Sequence, residues 1–174
     1  MIYLAYRVEK YRELLKKVAK PGKTILEIGP HVGLGTKLLK ESGARVICVD
    51  KAAQSEDAVK KLGVEFVKGD VRFFDTVRDV QKIIKRCDVL CFDMGGGRFP
   101  DTVFKVWAIW SGVFRPKDSV IRNRGLAEFI QRVKIEDEHL IRDFEDDGWL
   151  KAWGRRYSKE FPSGLEEMKL WMEK

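Results

Sequence analysis

Past a charged opening segment, apolar residues gather into short runs at 24–28, 45–50, 64–67, 88–93 and 119–122. Between them lie longer stretches, 35–42, 55–62, 71–86 and 99–114, whose apolar positions recur at helical spacing. The short runs are apolar throughout rather than alternating, which predicts strands covered on both faces. Strand–helix alternation with right-handed crossovers then predicts a doubly wound α/β fold, a mostly parallel sheet of roughly six to seven strands with helices on both faces.

The first twenty positions, MIYLAYRVEKYRELLKKVAK, carry apolar residues at helical spacing and predict a helix over 1–20. No Pro/Gly/Ser linker or repeat divides the chain, so 1–174 reads as one domain with its core at 23–134. Beyond it, 126–144 has helix-like spacing, WLKAWGRRYSKEF predicts a strand or hairpin, and 165–172 a closing helix. Trp149, Trp153, Tyr157 and Phe161 recur every fourth residue; Gly154 and Pro162 interrupt a helix there and favour strand.

Composition narrows the classes. At 44 % hydrophobic the chain can bury a full core, and no apolar run is long enough to span a membrane, so a cytoplasmic protein is expected. Three cysteines without a CxxC pair read as small buried hydrophobes. A net charge of +7 favours polyanionic partners, although a solvated basic surface accounts for it equally. Many charged residues and very few amides suggest a heat-adapted source.

Candidate chemistry sits at the ends of the apolar runs. ILEIGPHVGLGT places Gly29, Gly33 and Gly35 between a strand and a helix, where backbone can approach a ligand closely. Asp50, Asp70 and Asp93 end or follow the next three strands, and strand ends in this architecture converge on one pocket. Singly, each acid also suits a helix cap or a turn. The GxGxxG spacing is absent, and Glu27 beside the turn would repel a pyrophosphate, which disfavours a nicotinamide dinucleotide.

These residues resemble the class I S-adenosylmethionine-dependent methyltransferases. Glu27 matches the acidic place of that family's first motif, Gly29 and Gly33 its first and last glycines, and Thr36 the common threonine. The resemblance implies S-adenosylmethionine as cofactor, held by Glu27, Gly29, Pro30, His31, Gly33, Asp50, Lys51, Asp70, Val71, Asp93 and Met94. It implies Asp50 on the ribose, Asp70 on the adenine side and Asp93 beside the acceptor. His31 replaces the middle glycine; it either joins the pocket or points to solvent.

The acceptor is less legible. DMGGGRFP is not an Asn-Pro-Pro-Tyr motif, so methylation of an exocyclic amine is disfavoured. Asp93 is the candidate for positioning the acceptor or taking its proton; contact with the cofactor alone is the other reading. Arg98, Arg122 and Arg124 should line the carboxyl edge of the sheet and suit an anion, whereas arginines flanking Asn123 disfavour a metal. RNA is the leading acceptor class, an anionic small metabolite the next, and a binding module with little catalysis the rival. A monomer and a homodimer fit the pattern alike.

Overall fold

The structure, a computed structural model, describes residues 1–136. Six strands form one sheet: β1 (Ile2–Ala5), β2 (Thr24–Ile28), β3 (Arg45–Asp50), β4 (Glu65–Lys68), β5 (Val89–Phe92) and β6 (Asp118–Arg122). The helices are α1 (Val8–Val18), α2 (Leu34–Glu41), α3 (Ala53–Lys61), α4 (Phe74–Ile83), α5 (Pro100–Phe114) and α6 (Arg124–Arg132). The strand order is β1-β6-β5-β2-β3-β4, and every pairing is parallel.

Side chains on successive strand positions enter two separate cores. Leu26, Ile28, Ile47, Val49, Leu90 and Phe92 face α4 and α5. Ile25, Val46, Cys48, Val89, Cys91 and Val120 face α1 and α2. Both faces are therefore apolar, as the unbroken apolar runs require. All three cysteines are free and buried; burial pushes the Cys87 thiol up to about 12 and lifts Cys48 and Cys91 as well.

Residues 1–20 are not one helix. Ile2–Ala5 pairs with β6 in register Ile2↔Ser119 to Ala5↔Arg122, and helical burial of Tyr11, Leu15 and Val18 begins only after Arg7. A β-rich opening, Ile2-Tyr3-Leu4, gains a ladder at the sheet edge that a frayed helix end would lack. The helix expected to run to 144 ends at Arg132, where Val133 is extended; the stretches at 137–144, WLKAWGRRYSKEF and 165–172 lie outside the described residues. The one expected over 71–86 shrinks to Phe74–Ile83.

Strand order reverses at β2, which lies between β3 and β5. The carboxyl ends of β2, β3 and β5 thus open one crevice, the usual ligand position in a doubly wound sheet.

Candidate functional site

Gly29 leaves β2 with φ +78°, its N–H donating to Val49 O at 3.0 Å. A Cβ on Gly29 would meet the carbonyl oxygen of Asp93 at 2.6 Å, so only glycine lets the ends of β2 and β5 approach this closely. Gly33, at φ +79°, caps α2 and donates its N–H to Pro30 O at 2.9 Å. Between them His31 is also left-handed, at φ +51°, and exposed. A side chain in that region costs on the order of 1 kcal/mol.

Glu27 lies beneath this turn, buried on the α1–α2 side of the sheet, with Cys48 and Cys91 beside it in register. Thr36 Oγ1 donates to Glu27 Oε2 at 2.6 Å, and the Cys48 thiol donates to the same oxygen at 3.2 Å. Its other oxygen faces Gly35, where a Cβ would stand 2.7 Å away. Burial pushes the Glu27 carboxyl up to about 7 against those two hydrogen bonds, and the nearby charge of Asp93 adds to the rise.

Two cavities share Gly29, His31, Asp93 and Arg122. The larger, about 700 Å³, runs past Asp50, Lys51, Asp70, Val71, Met94 and Arg98. The smaller, about 130 Å³, lies between α1 and the turn and is lined by Glu27, Pro30, Tyr11 and Arg12. Tyr11 Oη and Arg122 Nε are buried without a hydrogen-bond partner among the described residues.

In the larger cleft, Asp50 accepts from Ala52 N at 3.1 Å and from Ser55 Oγ at 2.8 Å, which fixes its carboxylate at the end of β3. Asp70 is held by a two-point Arg72 contact, Nε to Oδ1 at 2.9 Å and Nη2 to Oδ2 at 2.6 Å, with Lys51 Nζ 3.1 Å from Oδ2. Burial raises the Asp70 carboxyl, but these donors outweigh it and bring it down to about 2. Val71 turns its carbonyl inward to accept from Trp110 Nε1 at 2.9 Å.

The three arginines do not form the anion cluster expected of them. Arg122 Nη1 donates to Asp93 Oδ1 at 2.8 Å, so its charge is spent on the carboxylate. Burial nevertheless raises Asp93 above the usual carboxylate range, opposed first by Arg122 and then by the charges of His31 and Arg12. Arg124 lies against Gly97 and over the Tyr6 ring, and lines neither cavity. Of the three, Arg98 reaches the larger cleft with no carboxylate partner among the described residues, its Nε donating to Gly95 O at 3.3 Å. Asn123 is consumed structurally: it donates Nδ2 to Arg98 O at 2.9 Å and caps α6 by accepting from Leu126 N at 2.9 Å. Among the described residues no cluster of three or more His, Cys, Asp or Glu side chains could hold a metal ion.

Four residues at the site escape sequence reasoning: Tyr11, Arg12, Arg72 and Phe99. Tyr11 reads as one apolar position of α1. Arg72 is one charge among many, and Phe99 is an ordinary residue before a proline. Only the unusual Gly-Gly-Gly before Arg98-Phe99 hints that this connection is special.

No family model and no curated protein matches the sequence. Solved structures do match the fold. An rRNA methylase from Streptococcus thermophilus superposes with a TM-score of 0.51 at 12 % identity, covering 75 % of this chain and 81 % of that one. A TehB-like SAM-dependent methyltransferase from Corynebacterium glutamicum gives 0.47 at 18 %, over 62 % and 57 %. A SAM-dependent methyltransferase from Archaeoglobus fulgidus gives 0.42 at 23 %, over 57 % and 48 %. The chain thus spans little more than half the length of the second and about half of the third. With its six parallel strands and helices on both faces, the chain has the Rossmann-like fold of the class I methyltransferases.

Proposed function

We propose that this chain binds S-adenosylmethionine at the shared end of the two cavities and transfers its methyl group to an acceptor, RNA first and an anionic small metabolite second. The observation that carries the reading is the seam at Gly29, His31 and Asp93, where the larger and smaller cavities join. A molecule with a nucleoside at one end and a zwitterionic amino acid at the other suits that division. The Asp50 carboxylate faces the larger cleft, where it can accept from a ribose diol. Tyr11 and Arg122, whose Oη and Nε have no partner among the described residues, line the smaller cavity beside Glu27, an acid suited to an ammonium. This pairing of unsatisfied donors with a buried acid is the fit expected of that group.

When bound, S-adenosylmethionine supplies an electrophilic methyl on a sulfonium. The chain's own part is to position and to exclude water. Asp93, raised by burial and steadied by Arg122, stands at the seam, where it can orient an acceptor or take its proton. Glu27 and Asp93 beside the glycine turn oppose a pyrophosphate, which weighs against NAD(P). The net charge of +7 and the likeness to an rRNA methylase support an RNA acceptor.

A binding module with little catalysis is the second reading. It is favoured by Arg72 and Lys51, which already occupy the carboxylate of Asp70. Incubation with S-adenosylmethionine labelled in its methyl group, together with total cellular RNA or a small-metabolite fraction, separates the two. The enzyme reading expects label in RNA and release of S-adenosylhomocysteine. Cofactor binding with no label in either fraction would leave the module.

A further inference from the structure

The connection from β5 to α5 is strained. Gly95, Gly96 and Gly97 all have positive φ, and Phe99 follows at φ +57°, ψ +61°. A bulky aromatic rarely adopts that conformation, and a residue preceding a proline, here Pro100, is normally extended. The strain gains little burial, since Phe99 is 59 % exposed. Glycine or asparagine would serve the same turn with less strain.

The ring lies over Gly95, where a Cβ would meet Phe99 Cδ2 at 3.0 Å, and the backbone on either side of it is held. The preceding carbonyl, Arg98 O, accepts from buried Asn123 Nδ2 at 2.9 Å, and Phe99's own carbonyl accepts from Val103 N at 3.0 Å in the first turn of α5. The Arg98 guanidinium stands 5.7 Å from the ring centroid. Phe99, Arg98, Met94 and Asp93 line the same cleft. A pre-set aromatic face with an adjacent cation, beside the seam where transfer would occur, matches the way unpaired bases are held. Arg98 would meet the neighbouring phosphate.

We propose that Phe99 is the stacking face for a base of single-stranded RNA brought to the acceptor side of the cleft. This rests on the RNA-methyltransferase reading above.

The test uses the full chain saturated with S-adenosylhomocysteine and a fluorescein-labelled short RNA containing all four bases, at near-physiological salt. Anisotropy is compared for the single strand and for the duplex of the same sequence, with S-adenosylhomocysteine affinity measured alongside. Phe99→Gly removes the ring yet suits the left-handed backbone, and Phe99→Trp keeps an aromatic face. Stacking predicts about tenfold weaker single-strand binding for Phe99→Gly. It also predicts near wild-type binding for Phe99→Trp, with duplex and S-adenosylhomocysteine affinities unmoved. Equal single-strand binding by Phe99→Gly and wild type overturns the stacking role while leaving the RNA reading in place. Loss of S-adenosylhomocysteine affinity in Phe99→Gly would instead assign the ring to the cofactor and overturn the proposal. A wild-type protein that binds S-adenosylhomocysteine but no single-stranded RNA removes the RNA reading and this role with it.

Discussion

Arg122 and Asp93 close the ends of neighbouring strands with a 2.8 Å ion pair, and the arginine's Nε is buried without a hydrogen-bond partner among the described residues. The pair is mostly buried, so removing one member strands the other. Arg122→Leu should destabilise the protein by about 1–3 kcal/mol in urea unfolding. Asp93→Asn in the same chain should recover part of that loss. Unchanged stability of the single variant would mean the pair is not formed.

His31 holds a glycine conformation with a side chain. His31→Gly should raise stability by up to about 1 kcal/mol, set against the entropy glycine gains when unfolded. If the imidazole merely crowds the turn, S-adenosylmethionine affinity should rise as well. A drop in affinity would show that His31 contacts the ligand across the seam it shares with Asp93.

Glu27 ties stability to pH. Its carboxyl loses its proton near 4.5 in the unfolded chain and near 7 in the fold, because burial disfavours the charge. Between those values the native state holds more proton than the unfolded one, so stability from this group falls as pH rises from 4.5 to 7. The loss is about 3 kcal/mol at full extent. Glu27→Gln should flatten that slope and exceed the wild type above pH 7. Parallel curves for the two proteins across this window would remove the assignment.

Asp50 binds its own loop as well as facing the cleft. Asp50→Ala should cost about 1 kcal/mol through Ala52 N and Ser55 Oγ, and reduce S-adenosylmethionine affinity tenfold or more. Unaltered affinity would sever Asp50 from the ligand.

Much of this was legible because burial on both faces leaves runs apolar throughout. β2 and β3 fall on the residues the pattern predicts, and Asp50 and Asp93 are visible as acids at strand ends. β1 was hidden: four residues at a sheet edge carry little pattern, and their partner β6 lies more than a hundred positions away. The fate of Arg122 was equally out of reach. Sequence gives the charge of a side chain at a strand end, while its pairing depends on which strand lies alongside. Tyr11 and Arg12 reach the site only because α1 packs across the turn, a contact between a helix and a strand end that no spacing encodes.

The most direct measurement is calorimetric titration of the full chain with S-adenosylmethionine, S-adenosylhomocysteine and NAD in parallel. Micromolar binding of the first two and none of NAD is the expected result. Binding of NAD alone, or of none of the three, would contradict it.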